Sequence, residues 1–297
     1  QSPVMLLRAG VGPAGGLKRA DVEVIADRPG VGGNLHNHHL LMLVFHLRRI
    51  ARPPGGARGH TTSMLRYSSN VEGCPAKDMY IPFVANTGWH ALGRRLSALT
   101  PTVAKPLSRG RISLIGGEAG PRPLIEFDYH SDDRDRVRHM DAVRRAAGML
   151  LSPEVRPLWH TAVPIARNDR VRQFNRISTA NAIRARAAAT LLDLIPAASR
   201  PIMSTLTKSG IDIIKLVEDD DALSEFVRES VSGPAHHVGT CRMGSAEDPD
   251  AVVDPAGRIY GVEGLRVVDA SIMPWVPRGN TNIPTLMLAE KIAAEIR

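Results

Sequence analysis

The stretch Leu265-Arg266-Val267-Val268-Asp269-Ala270-Ser271-Ile272-Met273-Pro274, followed at Gly279 by Gly279-Asn280-Thr281-Asn282-Ile283-Pro284-Thr285, decides the fold. Leu265–Asp269 reads as a short buried strand that stops on an acid. Thr285–Ile296 reads as an amphipathic helix, with Pro284 where a first-turn proline belongs. A strand, a loop rich in Pro, Gly and Asn, and then a helix N-terminus form a common ligand cradle. Free backbone N–H groups and the positive end of the helix dipole meet there. The carboxy-terminal segment is therefore expected to be α/β.

Working outward, Glu218–Val231 reads as an acid-capped helix stopped by Gly233-Pro234. A second strong helix is expected from Ser131, as N-cap, to Leu151. Its buried face would carry Val137, Met140, Val143, Ala147 and Leu150. Between 164 and 215 the chain is expected to be helical in parts, broken by Pro196 and Pro201. Short strands are expected at Val22–Ala26, Leu40–Arg48, Met79–Val84, Arg111–Leu114 and Leu124–Phe127, separated by Gly and Pro clusters. The middle thus reads as an α+β layer of mixed strands and helices. A length of 297 residues suits two domains.

Composition excludes several classes. With 43% hydrophobic and 23% charged residues the chain is an ordinary globular sequence, neither disordered nor fibrous. The net charge of +8 invites thought of nucleic acid, but residues 101–186 hold 16 of the bases against 9 acids, interleaved as in Asp132-Asp133-Arg134-Asp135-Arg136. That pattern is a solvated helix face. Only 3 Trp, 4 Tyr and 5 Phe are present, too few for a stacking platform, so no nucleic-acid partner is expected. The densest apolar run, Leu40–Leu47, falls far short of the ~20 residues needed to span a bilayer. The two cysteines, Cys74 and Cys241, stand far apart, which argues for a reducing, cytoplasmic setting. The first residue, Gln1, is not Met, so a targeting signal upstream stays open.

Gly10-Val11-Gly12-Pro13-Ala14-Gly15 matches the dinucleotide fingerprint in letters. Its context does not match, because Pro13 has no N–H to offer a phosphate. Only about ten residues separate Gly15 from the next strand, too few for a βαβ unit of about 30. A helix-entry turn is expected instead. His36-Asn37-His38-His39 lacks a carboxylate or thiolate at a ligand spacing and reads as polar loop contacts rather than a metal site. His236-His237-Val238-Gly239-Thr240-Cys241-Arg242-Met243-Gly244 is of another kind. A histidine in a Gly-flanked turn can be held rigidly and still face a cavity, as a general base requires, although a structural histidine satisfies the same pattern. An Asn at the helix start can donate to a developing oxyanion, or serve as an ordinary N-cap.

Taken together, His236-x-Val-Gly-Thr-Cys-x-Met-Gly244, Gly261-Val-Glu-Gly-Leu-Arg-Val-Val-Asp-Ala-Ser-x-Met-Pro274 and Gly279-Asn-Thr-Asn-x-Pro-Thr-x-Met-x-Ala-Glu-Lys291 resemble the closing segment of glucose–methanol–choline (GMC) flavin oxidoreductases. Ser2-Pro3-x-x-Leu6-Leu7, Gly10-Val-Gly-Pro13 and Pro29-Gly-Val-Gly-x-Asn-Leu35 resemble the family's earlier signatures, with Asn37-His38 where Asp-His is more common. Ser108–Leu114 and Phe127-Asp128 resemble the opening of its carboxy-terminal module.

The resemblance implies FAD as cofactor and a discontinuous FAD-binding domain, here 1–39 and 229–297, with an inserted mixed-sheet substrate domain at 40–228. It implies oxidation of a small-molecule alcohol by hydride transfer to flavin N5. His236 would be the general base and Asn282 the second catalytic group, while Asp269, Ala270, Asn282 and Pro284 would meet the flavin. His237 stands where proline is frequent, and the loop spacing favours His236 as the base. The electron acceptor would be oxygen, a quinone or another carrier. The family's Gly-rich ADP-binding unit lies upstream of the position of Gln1, so this chain alone is expected to bind FAD poorly. The rival expectation is a truncated, non-catalytic fragment or a split-enzyme subunit that needs a separate flavin-binding chain.

Overall fold

The structure, a computed structural model, describes residues 1–54, 60–117, 120–165, 174–207 and 210–296. In chain order the elements are α1 (Ser2–Arg8), β1 (Val11–Gly12), α2 (Ala14–Arg19), β2 (Ala26–Asp27), β3 (His39–Leu40), β4 (Met42–Leu47), β5 (Thr61–Tyr67), β6 (Met79–Val84), β7 (Leu96–Leu99), β8 (Thr102–Val103), β9 (Arg111–Ile115) and β10 (Arg122–Glu126). There follow α3 (Asp133–Leu151), β11 (Trp159–Ile165), α4 (Thr179–Leu194), α5 (Ser199–Thr207), α6 (Ile213–Glu218), α7 (Asp220–Ser230) and α8 (Asn282–Glu295). They divide between two compact units, one of Gln1–His38, Ala104–Asp132 and Gly233–Arg297, the other of His39–Val103 and Asp133–Ser232. Residues 104–132 group with the two terminal segments rather than with the middle, because β9 packs on α1 and α2.

The second unit is a seven-stranded sheet in the order β11-β4-β7-β6-β8-β3, with β5 paired to β6. Each described pairing in it is antiparallel, unlike the mixed sheet expected for the inserted domain; the parallel pair among the described strands, β1 with β2, is a separate two-stranded sheet of the first unit. Strand β4 shows why the sheet is layered. Alternate side chains point to opposite faces, and both faces of β4 are buried. Leu43, Phe45 and Leu47 pack with Met140, Val143 and Leu150 of α3, Leu216 of α6 and Phe226 of α7. Val44 instead joins Val84, Ala98, Val163 and Met203 of α5. Each such Val or Leu contributes roughly 1.5–3 kcal/mol on burial.

Helix α3 begins at Asp133, two residues after the expected cap, with Asp133 and Asp135 in a first turn that favours acids. Its buried face carries Met140, Val143, Ala147 and Leu150 as expected, but Val137 is 43% exposed, while Arg138 and His139 are buried. Arg138 is held inside by its partners: it ion-pairs with Asp135 and donates to Asp78 Oδ2 at 2.7 Å, and all three side chains are enclosed. Asp78 also accepts from Ser69 N at 2.8 Å and Ser69 Oγ at 2.6 Å. Burial works against its carboxylate, but these bonds and Arg138 hold its pKa below the ordinary value.

The acid-capped helix expected at Glu218–Val231 forms as α7, two residues later at its start: Asp219 is extended and accepts from Ala222 N at 3.0 Å, and Glu218 ends α6. Two more expectations are corrected by the structure. Pro196 does follow the end of α4, but Pro201 breaks nothing. It lies in the first turn of α5, where an N–H has no helical partner to lose. Leu265–Asp269 forms no strand; it makes one bridge, Arg266 to Arg258, and Leu265 is 42% exposed. A strand needs a neighbouring backbone along its length, and here two isolated bonds are made, Val267 N to Gly257 O at 2.9 Å and Ile259 N to Leu265 O at 3.2 Å. Residues 166–173 of the stretch expected to be partly helical lie outside the described residues.

The core of the first unit joins Leu6 and Leu7 of α1, Leu17 of α2, Leu114 of β9, Val252, Val253, Ile272 and Ile292. The Gly10–Gly15 turn is a helix entry, as expected, with α2 starting at Ala14. The N-terminal amide of Ala14 is taken by the carboxylate of Asp27 at 2.9 Å, so this helix end is already occupied by the chain's own anion.

Candidate active site

Three distant segments of the first unit are bonded together around His236. Gly32 N donates to Thr240 O at 2.9 Å, and His36 and Val238 exchange backbone bonds at 2.9 and 3.1 Å. Cys241 N and Met243 N donate to the carbonyls of Ser271 and Ile272 at 2.8 and 2.9 Å. Asn34 crosses all three, its amide donating to Gly239 O at 3.3 Å and Pro274 O at 3.1 Å. Gly239 has φ +95°, and a Cβ there would run into the Asn34 backbone, so this position requires glycine.

The residues just before His236 adopt an unusual path. Ala235 has φ +64°, and a Cβ at Gly233 would overlap the Asn37 amide and the Tyr129 hydroxyl. The turn then delivers His236 onto Asn37 and His38. Asn37 Oδ1 accepts from His236 N at 3.0 Å, while its amide donates to Tyr129 Oη at 2.8 Å. The His38 and His236 rings meet edge-on, 5.0 Å between centroids and 89° between planes, with their Nδ1 atoms 2.8 Å apart. His38 Nε2 lies 2.8 Å from Pro277 O. His236 Nε2 makes no hydrogen bond among the described residues, and the side chain is half-buried.

Electrostatics favour neutral imidazoles. Burial, and then the charge of His237, hold His236 below the ordinary 6.5. His38 is pushed down to about 4, mainly by burial and against the pull of the Pro277 carbonyl. His36 falls to about 3 through burial and the cations Arg109 and Lys105. Those two cations also stand over the Trp275 ring, at 4.3 and 6.0 Å.

The other expected site residues are arranged less closely. His237 turns to Phe127, 5.2 Å between ring centroids. Asp269 caps the 3₁₀ turn Ala270–Ile272, accepting from Ser271 N at 2.8 Å and also from the hydroxyls of Ser2 and Ser271. Burial opposes its charge, and these bonds keep its pKa low. Asn282 is the first residue of α8 with an exposed side chain, and its N–H is taken by Asn280 Oδ1 at 3.0 Å. Among the described residues no hydrogen bond joins Asn282 to His236. Pro284 stands in the first turn of α8, as expected. No group of three or more His, Cys, Asp or Glu that could hold a metal occurs among the described residues, and no helix there is long and apolar enough to cross a membrane.

Sequence reasoning missed Asn37, His38, Tyr129 and Pro277 as parts of this site. The His36–His39 cluster was visible as a cluster, but nothing in its spacing pointed to a partner about two hundred residues away.

A two-unit α/β protein with a clamped histidine beside a Pro-Gly-Asn loop and a helix N-terminus defines a class of cofactor-binding scaffold. The family model for GMC oxidoreductase matches residues 106–289, and the chain belongs to that family. It is 36% identical over 299 residues to 5-(hydroxymethyl)furfural oxidase of Methylovorus sp. strain MP688, covering 100% of this chain and 49% of that protein. It is 28% identical over 320 residues to oxygen-dependent choline dehydrogenase 1 of Chromohalobacter salexigens, again covering 49% of the relative. Among solved structures, pyridoxine 4-oxidase from Mesorbium loti superposes with a TM-score of 0.69 at 24% identity, over 99% of this chain and 49% of that one. A fungal aryl-alcohol oxidase gives 0.65 at 20% identity, over 99% and 52%. The chain spans about half the length of the relatives it matches.

FAD is the cofactor of this family, and the residues present fit only part of it. The first turns of α8 leave Ile283, Leu286 and Met287 at 70%, 54% and 61% exposure, an apolar face suited to a flat ring system. The one Gly-x-Gly-x-x-Gly turn does not fit a pyrophosphate, because Asp27 fills the helix end.

Proposed function

We propose that this chain is the carboxy-terminal part of an FAD-dependent oxidoreductase that oxidises an alcohol, with His236 as the base for the hydroxyl proton. The observation that carries this reading is the clamp on His236: its backbone is held by Asn37, its Nδ1 edge meets His38, and its Nε2 is left open. Bound FAD supplies the acceptor for the hydride that leaves the carbinol carbon. His236 Nε2 takes the hydroxyl proton, which makes that departure easier, and a positioned base is worth about 10²–10⁴-fold. Asn282, at the start of α8, donates its amide to the substrate oxygen, assisted by the helix dipole. Asp269, Ala270 and Pro284 line the side that meets the flavin. The discontinuous assembly of the FAD-binding part from 1–39 and 229–297 belongs to this same proposal, with 104–132 counted with it and the rest of 40–228 as the substrate-binding part. The names of the relatives, a hydroxymethylfurfural oxidase and a choline dehydrogenase, share a primary alcohol, which we take as the substrate class. The electron acceptor is oxygen, a quinone or another carrier.

A second reading is favoured by two observations: Asp27 fills the only Gly-rich turn of fingerprint form, and the apolar face of α8 is uncovered. In that reading the chain is a subunit that acts only with a separate flavin-binding chain. Purifying residues 1–297 and recording the visible spectrum separates the two. A flavin band bleached by a primary alcohol under anaerobic conditions supports a self-sufficient enzyme. A colourless protein that turns yellow and active only with a second chain supports the subunit. Neither response, with flavin loaded from both chains, refutes the proposal.

A further inference from the structure

His38 is buried, titratable and in contact with His236, yet no step above uses it. Its neighbours determine where its protons lie. Pro277 O can only accept a hydrogen bond, so His38 Nε2, 2.8 Å away, must carry a proton. A neutral imidazole has one N–H, so His38 Nδ1 then bears a lone pair. Burial keeps the ring neutral, with a pKa of about 4, and the Ala104 carbonyl is a further acceptor-only neighbour. The 2.8 Å Nδ1···Nδ1 contact needs one proton between its two nitrogens, and only His236 can supply it. His236 is thereby the Nδ1–H tautomer, and its Nε2 is the bare acceptor.

We propose that His38 is a positioning residue that sets the tautomer of His236: a hydrogen-bond chain of fixed sense runs from His236 Nδ1–H to His38 Nδ1 and from His38 Nε2–H to the Pro277 carbonyl, so that His236 presents a lone pair at Nε2. The opposite tautomer would place an N–H at Nε2 and leave two lone pairs facing each other at 2.8 Å. It could not take a hydroxyl proton there. The second nitrogen of a working histidine is commonly fixed by a carboxylate or a carbonyl. Here a neutral histidine does it, and it adds no charge that would make the base stronger than neutrality requires. Asn37 holds the backbone of the same residue, so two consecutive residues set both the position and the proton of His236.

The inference deepens the proposed function, but its central claim can be read without turnover. In the full chain labelled with ¹⁵N-histidine, long-range ¹H–¹⁵N spectra at pH 7.5 should show His236 protonated at Nδ1 and His38 protonated at Nε2. The variants His236→Ala and His38→Leu assign the signals. In His38→Leu the Nδ1–H signature of His236 should be lost, while His38→Asn, which keeps an acceptor oxygen near the Nδ1 position, should restore it. Protonation of wild-type His236 at Nε2, or an unchanged tautomer in folded His38→Leu, overturns the proposal. If His38→Leu does not fold, the wild-type spectrum decides alone, since it must show both assigned tautomers. In flavin-loaded active protein, His38→Leu should lower kcat by about 10–100-fold with KM little changed, and His38→Asn should recover most of it. Loss in KM alone, with kcat intact, would refute a role through the base. A protein that shows the tautomer pair and never oxidises an alcohol would sink the proposed function and leave this inference standing.

Discussion

His236 owes its character to what touches it, not to its own residue type. Removing it by His236→Ala in flavin-loaded protein should lower kcat by about 10²–10⁴-fold, measured by alcohol-dependent flavin reduction. Because burial and His237 depress its pKa, the neutral form persists to below pH 6.5. The acid limb of kcat/KM should therefore have its midpoint under that value, and a limb centred above it would contradict the assignment. The buried histidines also make stability depend on pH. His36 and His38, at about 3 and 4, are depressed from 6.5, so the unfolded chain binds more protons below 6.5. Their stabilisation is complete above pH 6.5 and declines as the pH falls, by about 1.4 kcal/mol per pH unit per histidine until their folded values are reached. Urea midpoints should be clearly lower at pH 5 than at pH 7.5; equal midpoints would show that these rings are not buried neutral. In the second unit, Arg138→Ala would strand the carboxylates of Asp78 and Asp135 in the interior and should destabilise by about 3–5 kcal/mol in urea unfolding. The turn around His236 was legible because a Gly-flanked pattern is local, but on that pattern alone a structural histidine fits as well, and the role of base comes from the motifs around it and the family resemblance. Arg138 was not, since a buried arginine and a surface one look alike in an alternating charge run.

At the scale of elements, α8 is the instructive case. Its periodicity and its first-turn proline are visible in the sequence, and the helix forms. Yet Ile292 is the residue of α8 buried in the core, while Ile283, Leu286 and Met287 face outward. Leu286→Gln should accordingly change the stability of this chain by no more than about 0.5 kcal/mol, whereas Ile292→Ala should lose about 2–5 kcal/mol, both read from urea unfolding. A large loss from Leu286→Gln would mean that the face is covered. Leu265–Asp269 teaches the complementary point. Its residue types suit a strand, but strand formation is a property of two backbones, and its neighbours supply only isolated bonds. Met79–Val84 has partners on both sides and forms as expected.

For the whole molecule, the chain crosses repeatedly between two units, and the main core of each shares no residue with that of the other. The occupied turn at Asp27 and the match to about half of each relative lead to one expectation for the purified chain. It should carry well under one equivalent of flavin, read from the ratio of visible to ultraviolet absorbance; a full equivalent would show that residues 1–297 cradle the pyrophosphate by another route.

The sequence alone was enough for the family, the helix at the carboxy terminus and the strong helix before Leu151, whereas the strand that would have made the last seventy residues α/β does not form. These rest on local patterns, where spacing along the chain equals spacing in space. Only the tertiary structure decided that 104–132 joins the terminal segments, that Arg138 rather than Val137 turns inward, and that His38 and Pro277 stand behind His236. Those outcomes depend on contacts between residues far apart in the chain, whose hydrogen bonds and burial exist only once the segments have been brought together.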